Sequence, residues 1–312
     1  MNVIYDLKQL ERPLTNAVLT IGNFDGVHKG HIAIFEKVKE RAKAIEGQSA
    51  VMTFEPHPIK VMKPGNGPAL ITPINQKLSL VWNAGVDFIF CIHFTHQFSS
   101  ISAHDFVQDI LVDKIGIKEV VVGYDYTFGH KRQGNITILR EMGVKLGFRV
   151  HVMGPVHIDR ALVSSTSIRE LIQEGNLLEA KKFLGRDYQV CGTVIKGKNR
   201  GGKLLGFPTA NLNLIDELIP KKGVYAVTVV INEKIHKGVT NIGYNPTFGN
   251  NALSVETHLL DFSEDILGKT IKVNFLQRLR DEKFFKTIQE LSDQIAQDIQ
   301  QARKLFGLNE AY

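Results

Sequence analysis

Five short apolar runs in the first half of the chain, with helical stretches between most of them, place the strongest constraint on the fold. Because nearly all of their residues are apolar, each strand is expected to be buried on both faces, as in a parallel sheet covered by helices. The sequence therefore predicts an α/β domain built on a parallel sheet. The runs are Ala17–Ile21, Ser49–Phe54, Asp87–Phe94, Lys118–Gly123 and Phe148–Met153.

Two loops follow the carboxyl ends of predicted strands, where parallel sheets bind their ligands. The first loop, TIGNFDGVHKGH, covers residues 20–31, and the second, GYDYTFGHKRQGN, covers residues 123–135. We therefore expect the ligand site of this domain at these two loops.

The pattern changes near residue 185. Residues 169–185 predict two helices joined by a turn and ending at Gly185. Beyond them, short strands at near-regular spacing predict a small antiparallel β-barrel, and residues 284–306 predict a final helix. We therefore divide the chain into residues 1–184 and 185–312. The predicted barrel strands are residues 188–195, 223–231, 234–242, 253–262 and 269–277.

Charge and composition exclude several classes of partner. The formal net charge is +6, and the one basic cluster, KGKNRGGK, is short and rich in glycine. A nucleic-acid site would need a long basic face with aromatic side chains, so we expect a small phosphorylated ligand and no nucleic acid. No apolar run is long enough to cross a membrane, and no membrane partner is expected.

The cellular location and the oligomeric state of the chain are indicated less directly by the sequence. The N-terminal stretch lacks the apolar core of a signal peptide. Cys91 and Cys191 each lie in an apolar stretch, which leaves a single disulfide open but provides no disulfide framework and no cysteine metal site. A cytoplasmic location is therefore expected, while the oligomeric state stays open.

The loop after the first predicted strand combines glycines, a helix start and two histidines. Gly22 and Gly26 permit tight turns and close approach of the backbone to a ligand. The helix is predicted to begin near Lys29, so its free N–H groups point into the loop, where phosphate binds readily. His28 and His31 can donate hydrogen bonds to phosphate oxygens, although such a pair is also common as a structural feature.

A run of hydroxyl side chains precedes another predicted helix in LVSSTSIRELI, residues 162–172. These hydroxyls can cap the helix. They can also bind phosphate together with Arg169 in its first turn.

Both strings resemble segments of FMN adenylyltransferases in the nucleotidyltransferase superfamily. GNFDGVHKGH is similar to the H-x-G-H segment, and SSTSIR is similar to the S-S-T-x-I-R segment. The resemblance implies a Rossmann-like fold in which His28 and His31 stabilise the leaving pyrophosphate with help from Arg169. The nucleotide-binding residues that it implies are Gly22, Asn23, Phe24, Asp25, Gly30, Ser164, Ser165 and Thr166.

A third segment, GYDYTFG, places aromatic rings between glycines at residues 123–129. Such rings can serve only to pack a loop. The segment resembles G-x-D-F-x-F-G of the same family, with tyrosine in place of one phenylalanine. The resemblance implies flavin contacts from Asp125, Tyr126 and Phe128.

The second half carries a glycine-rich loop followed by a possible oxygen-ligand pair. GKNRGGKL approaches the P-loop pattern, but Leu204 replaces the required hydroxyl, and no strand-then-helix context surrounds it, so an ordinary P-loop is rejected. Oxygen ligands for Mg²⁺ must then lie elsewhere, and GFPTANL supplies Thr209 and Asn211. This segment resembles P-T-A-N of riboflavin kinases, which implies that both residues bind Mg²⁺ and ATP. The nucleotide-binding residues so implied are Gly197, Lys203, Gly206, Pro208, Thr209 and Asn211.

Glu256 lies in a predicted strand, LSVETHLLDF, that otherwise favours β-branched and apolar residues. Such a carboxylate belongs either to a solvated face or to a positioned general base. The segment resembles V-E-T-H of riboflavin kinases, which implies that Glu256 accepts the proton of a primary alcohol as it attacks the γ-phosphate. GVTNIGYNPTFG resembles N-I-G-x-x-P-T-F but has Asn245 where many members have arginine. LRDEKFF resembles the segment that closes over flavin, with Arg280 as the contact.

These matches follow family order along nearly the whole chain, which is thereby identified as a member of the prokaryotic bifunctional riboflavin kinase/FMN adenylyltransferase family. The resemblance implies that the C-terminal domain converts riboflavin and ATP to FMN with Mg²⁺. It also implies that the N-terminal domain converts FMN and a second ATP to FAD and pyrophosphate.

Two other classes were weighed. An enzyme similar to class I aminoacyl-tRNA synthetases would need a lysine-rich K-M-S-K-S loop and an RNA-binding domain, and the sequence shows neither. A non-catalytic flavin-binding protein would be expected to lose the residues of the chemical steps, yet the chain retains His28, His31, Thr209, Asn211 and Glu256.

Overall fold

The computed structural model describes residues 1–196, 207–214, 217–244 and 253–308. Contacts divide the chain into two compact units, the first covering Met1–Ser165 and the second beginning at Thr166. The two predicted helices before residue 185 are thus grouped with the second unit. The functional boundary at residue 185 stays a prediction.

The first unit is built from strands that match the predicted runs to within one or two residues at each end. Two short hairpins and one edge strand were not predicted, because a strand of two residues carries no readable periodicity. The ten strands are β1 Val3–Ile4, β2 Ala17–Ile21, β3 Ser49–Glu55, β4 Phe88–His93, β5 Ile117–Gly123, β6 Thr127–Phe128, β7 Gly134–Asn135, β8 Arg149–Met153, β9 His157–Ile158 and β10 Ala161–Leu162.

Helices cover the sheet and follow the predicted pattern, and single turns of 3₁₀ helix occur at Leu7–Gln9 and His130–Arg132. The helix predicted at residues 103–115 begins as α5 and continues as a π-helix, Phe106–Ile115, that ends at left-handed Gly116. The remaining helices include those that precede and follow the barrel. They are α1 Lys29–Ala44, α2 Pro58–Met62, α3 Ile74–Asn83, α4 His96–Ser99, α5 Ala103–Asp105, α6 Ile136–Leu146, α7 Ser165–Glu174, α8 Leu177–Leu184 and α9 Ile288–Leu305.

Six strands form one parallel sheet in the order β1–β4–β3–β2–β5–β8. Its two faces are both buried: Leu19 packs in a cluster with the π-helix residue Leu111, while its neighbour Val18 packs with Val38 of α1. This confirms the predicted α/β fold with a doubly covered, Rossmann-like sheet.

The strand order places a topological switch point beside β2. The chain moves from β2 outward through β3 and β4, then returns to the other side of β2 as β5. Parallel sheets bind ligands beyond the carboxyl ends of strands at such a point. The loops after β2 and β5 flank it, and they are the two loops that the sequence singled out.

The second unit contains a closed antiparallel barrel of six strands in the order β11–β12–β15–β14–β13–β16. The predicted barrel is confirmed, and the strand that the sequence did not predict, β12, is the short one that carries the P-T-A-N segment. The strands are β11 Tyr188–Ile195, β12 Ala210–Asn213, β13 Gly223–Ile231, β14 Lys234–Tyr244, β15 Leu253–Leu259 and β16 Thr270–Arg280.

The final helix, α9, begins at residue 288, four residues later than predicted. The helix begins there because Thr287 is its N-cap: the Thr287 hydroxyl accepts a hydrogen bond from the backbone N–H of Glu290 at 3.1 Å. Ala302 of α9 is fully buried against Val224 and Val239 on the outside of the barrel. The helix therefore covers part of the outer barrel face.

Candidate active sites

The loop between β2 and α1 is held in shape by its own aromatic ring. Phe24 and Val27 both adopt left-handed backbone conformations, with φ of 48° and 37°. The Phe24 ring lies over Gly22, where an added Cβ would approach ring atoms to 2.9 Å. Gly22 is therefore required by the close packing of this ring, which also contacts the His31 ring edge-on at 5.2 Å.

Asp25 anchors the same loop from inside the unit. Its carboxylate is buried and accepts the backbone N–H groups of Ile71 and Thr72, each at 3.0 Å. Lys77 is also buried, which lowers the pKa of its ammonium group, while the nearby carboxylates of Asp25 and Glu55 act in the opposite direction. These bonds give the Asp25 side chain a structural role, and its phosphate-binding role stays a prediction.

His28 and His31 come together at the start of α1. His28 is the N-cap, and its Nδ1 accepts the backbone N–H of His31 at 3.3 Å. Since Nδ1 is the acceptor, a neutral His28 carries its proton on Nε2, which can donate to a ligand. The two rings stack with centroids 3.5 Å apart, and Gly30 leaves room for them, because an added Cβ would lie 3.1 Å from the His28 ring.

The hydroxyl run contacts this loop at Ser165. The Oγ of Ser165 donates to the main-chain oxygen of Asp25 at 2.8 Å. Ser164 and Ser165 thus lie in the unit that contains the histidines, at the start of α7. Thr166 and Arg169 follow on α7 in the second unit.

The loop after β5 forms a small hairpin, with Phe128 pairing across to Gly134. Phe128 is buried and stacks on Tyr126 with ring centroids 5.5 Å apart, while Asp125 is exposed. Burial raises the pKa of Tyr126, so its hydroxyl stays protonated at neutral pH and can donate a hydrogen bond. The predicted flavin-binding residues thus include both packed rings and an open carboxylate at the switch point.

The barrel brings the predicted kinase residues together across two strands. Asn211 on β12 and Glu256 on β15 are register partners, so their side chains emerge side by side. Asn211 is buried and Glu256 half-buried, which answers the question left open by the sequence: this carboxylate is not on a fully solvated face. A cavity of about 240 Å³ borders Asn211 and is otherwise lined mainly by apolar side chains, including Leu212 and Val255.

Thr209 and Pro208 lie just before β12 on exposed chain. The main-chain oxygen of Pro208 contacts Nδ1 of His258 at 2.8 Å, and the Phe207 ring meets the His258 ring edge-on. His258 therefore supports the P-T-A-N segment from the next strand. Gly197, Lys203, Gly206 and Asn245 lie outside the described residues.

Arg280 makes a different contact from the one that the resemblance implied. Its guanidinium binds Asp298 of α9 through two bonds, Nε to Oδ1 at 2.8 Å and Nη2 to Oδ2 at 2.7 Å. The Asp298 side chain is only 4% exposed. Sequence reasoning missed this pair and the bonds of Asp25, because no local pattern signals a partner 18 or 46 positions away.

The donor chemistry of the barrel site fits Mg²⁺. Asn211 offers an amide oxygen beside the carboxylate of Glu256, and Thr209 offers a hydroxyl nearby in sequence; Mg²⁺ prefers such oxygen ligands and usually shares them with phosphates. Within the described residues, no group of three or more His, Cys, Asp or Glu side chains could hold a metal ion.

Two family models match this chain, one in each half. The FAD synthetase model matches residues 10–167, and the riboflavin kinase model matches residues 184–306. A bifunctional riboflavin kinase/FMN adenylyltransferase of Escherichia coli K12 is 37% identical over 306 residues, covering 98% of this chain and 97% of the relative. The chain belongs to this family. Its members from Buchnera aphidicola of Acyrthosiphon pisum and from Haemophilus influenzae are 35% and 36% identical, again over nearly their full lengths.

As a bifunctional riboflavin kinase/FMN adenylyltransferase, the chain pairs an N-terminal adenylyltransferase with a C-terminal kinase. The alternatives of a synthetase for tRNA and of a non-catalytic flavin binder are therefore set aside. A crystal structure described as a macrolide-efflux protein from Streptococcus pneumoniae superimposes with a TM-score of 0.86 and 31% identity, covering 96% of this chain and 98% of that one. Among the described residues, no helix is both long and apolar enough to cross a membrane.

Proposed function

We propose that riboflavin is phosphorylated on the barrel at the Asn211–Glu256 pair, and that FMN is adenylylated at the stacked histidines of the first unit. The observation that carries the kinase assignment is the register pairing of Asn211 with Glu256, which are distant in sequence. An amide oxygen for the metal and a carboxylate for the proton are thereby adjacent, as phosphoryl transfer requires.

In the kinase step, Glu256 accepts the proton of the ribityl primary hydroxyl as its oxygen attacks the γ-phosphorus of ATP. The bond from the γ-phosphorus to the bridging oxygen breaks, and ADP leaves. Thr209 and Asn211 would hold Mg²⁺ together with the ATP phosphates, and the ion would supply charge neutralisation there when bound. Pro208 and the glycine-rich loop complete the nucleotide site in this proposal.

In the adenylyl step, an oxygen of the FMN phosphate attacks the α-phosphorus of a second ATP, and pyrophosphate leaves. His28 donates from Nε2 to the departing phosphates, since its Nδ1 is occupied by the His31 N–H. His31, Arg169 and the hydroxyls of Ser164 and Thr166 take the remaining charge, while the Ser165 hydroxyl donates to the main-chain oxygen of Asp25. No protein nucleophile is needed, because the phosphate itself attacks.

Flavin contacts in the first unit are proposed for Asp125, Tyr126 and Phe128 at the switch point. Arg280 is also proposed as a flavin contact in the kinase domain, although its guanidinium already binds Asp298. A cytoplasmic location belongs to this proposal, and it is supported by the sparse use of cysteine, since the sequence has only Cys91 and Cys191.

The proposal is tested by incubating the full chain with riboflavin, ATP and Mg²⁺ and separating riboflavin, FMN and FAD by chromatography. Wild type should form FMN and then FAD, and chelation of Mg²⁺ should stop FMN formation. Glu256→Ala should form no FMN yet still convert added FMN to FAD, whereas His31→Ala should accumulate FMN without FAD. Wild-type FMN formation by Glu256→Ala would refute the base assignment.

A further inference from the structure

Glu256 has a second polar neighbour that no assignment above uses. Across β14, on the side away from Asn211, its register partner is Asn241. Directly opposed residues of antiparallel strands have Cβ atoms about 5 Å apart and share one face of the sheet. Glu256 is therefore flanked on that face by two asparagines, one on each neighbouring strand.

The inward-facing neighbours confirm which face this is. Thr240 and Thr257, each adjacent in sequence to one member of the pair, are fully buried and joined by a hydrogen bond of 2.8 Å between their hydroxyls. Because side chains alternate along a strand, Asn241 and Glu256 both point outward. Asn241 is exposed, so its amide borders the same open space as the carboxylate.

The side-chain nitrogen of Asn241 lies near Gly243 of the same strand. This nitrogen, Nδ2, lies 3.5 Å from the point where a Cβ at Gly243 would stand, and the carboxylate of Glu282 lies over the same point at 2.2 Å. Because Gly243 has no side chain, there is space for the Asn241 amide beside it. An amide nitrogen carries two N–H donors, so Asn241 has the chemistry to donate to the carboxylate of Glu256, its register partner.

We propose that Asn241 is a positioning residue for the kinase step, its side-chain N–H holding the Glu256 carboxylate in the orientation that accepts the substrate proton. This inference rests on the proposed role of Glu256. The carboxylate has two oxygens, so one can accept from the amide while the other faces the attacking hydroxyl. Asn211, on the other side of Glu256, keeps its proposed role in binding the metal and the nucleotide.

The test compares Asn241→Ala, Asn241→Asp and Asn241→Ser with wild type, using riboflavin, ATP and Mg²⁺ under steady-state conditions. The aspartate side chain has the shape of asparagine but lacks its N–H donor, whereas the serine hydroxyl provides a donor. Loss of a hydrogen bond to a buried or half-buried charged group should lower kcat for FMN formation by about tenfold to a hundredfold in the first two variants. The KM for riboflavin and for ATP should change by less than about threefold, because substrate binding is not the affected step.

Serine should recover kcat to within about fivefold of wild type, since it restores a donor. Asn274→Ala is the matched control: this barrel asparagine binds Gln189 and Thr228 and should leave kcat unchanged. Circular dichroism establishes whether each variant is folded. If Asn241→Ala is unfolded, the kcat of Asn241→Asp decides the outcome.

Three results would overturn the inference: a wild-type kcat in folded Asn241→Asp, a loss confined to KM, or no recovery by serine. A wild-type enzyme that forms no FMN would instead refute the proposed function, so the two failures are distinguishable.

Discussion

The hydroxyl of Ser165 donates a 2.8 Å hydrogen bond to the main-chain oxygen of Asp25, a residue 140 positions earlier. This bond joins the start of α7 to the loop that carries the paired histidines. Asp25 is in turn fixed by the backbone of residues 71 and 72. Two segments distant in sequence, residues 71–72 and Ser165, therefore set the position of the loop on which adenylyl transfer is proposed to depend.

Ser165→Ala should weaken adenylyl transfer without affecting the kinase. Removing one partly buried hydrogen bond costs about 1 kcal/mol, so we expect kcat/KM for FMN adenylylation to fall about fivefold to tenfold. Phosphorylation of riboflavin by the same preparation should be unchanged. Ser100→Ala removes a similar but exposed hydroxyl bond, to Gln97, and should have no effect on either reaction. An equal loss in both serine variants would contradict the role of this contact.

Gly30→Ala tests whether the histidine pair depends on the space beside it. An added Cβ would lie 3.1 Å from Cε1 and Nδ1 of His28, so the ring must move and its bond to the His31 N–H must weaken. Adenylyl transfer should fall about tenfold, because small displacements of catalytic groups reduce rates strongly. Helix stability should not fall, since alanine is favoured over glycine within helices.

The control for Gly30 is Gly154→Ala, where a Cβ would meet nothing within 4 Å. Gly154→Ala should retain wild-type rates of both reactions, measured by the same chromatographic separation of FMN and FAD. If Gly30→Ala also retained them, the position of the His28 ring would not limit the adenylyl step.

The sequence was sufficient for most of the architecture because its signals are local. Buried parallel strands such as β2 are continuous apolar runs, and barrel strands such as β13 have turn residues at both ends, so periodicity and length predict them. The strand β12 was missed because its four residues, Ala210–Asn213, follow a Pro-Thr pair that reads as a turn. What makes it a strand is pairing with β11 and β15, which is not a local property.

The site shows the same limit. Motif residues such as His28 and Glu256 could be found because their strings are specific. The contacts that support these residues could not be predicted. In the sequence Asp25 is one acidic residue in a glycine-rich loop, and only the structure shows its bonds to residues 71 and 72. Asn241 likewise stands in an ordinary strand sequence, and only the register places it beside Glu256.

A buried ion pair should govern the acid stability of the first unit. Glu119 on β5 is almost fully buried and accepts two bonds from Arg41, at 2.7 and 2.8 Å, and one from His151 at 2.7 Å. The hydrogen bond from Arg41, together with that from His151, lowers the pKa of Glu119 although burial opposes the shift. Because the folded pKa is lowered, this stabilisation is present above the ordinary carboxyl range and is lost as pH falls through the folded pKa.

Glu119→Gln should therefore lower the free energy of unfolding at pH 7 by about 2–3 kcal/mol. The difference from wild type should narrow as the pH falls through the lowered folded-state pKa of Glu119, because the wild-type carboxylate is then itself protonated. Urea unfolding at a series of pH values measures both effects. Glu36→Gln, which breaks an exposed pair with Lys39, should change stability by less than about 0.5 kcal/mol. A difference in the free energy of unfolding that showed no dependence on pH across the acid range would contradict the ionic origin.

The pair formed by Arg280 and Asp298 should hold α9 to the barrel. Both side chains are largely buried, at 15% and 4% exposure, and two hydrogen bonds join them. Truncating one partner leaves the other charge buried without its partner, so Asp298→Ala should cost about 3–5 kcal/mol, and Arg280→Ala a similar amount. Asp261→Ala provides the control, because this acid also pairs with an arginine of α9, Arg303, but is 62% exposed, and its loss should cost less than about 1 kcal/mol. Thermal unfolding of the three variants followed by circular dichroism tests this order, and equal losses at Asp298 and Asp261 would show that burial of the pair does not determine its contribution.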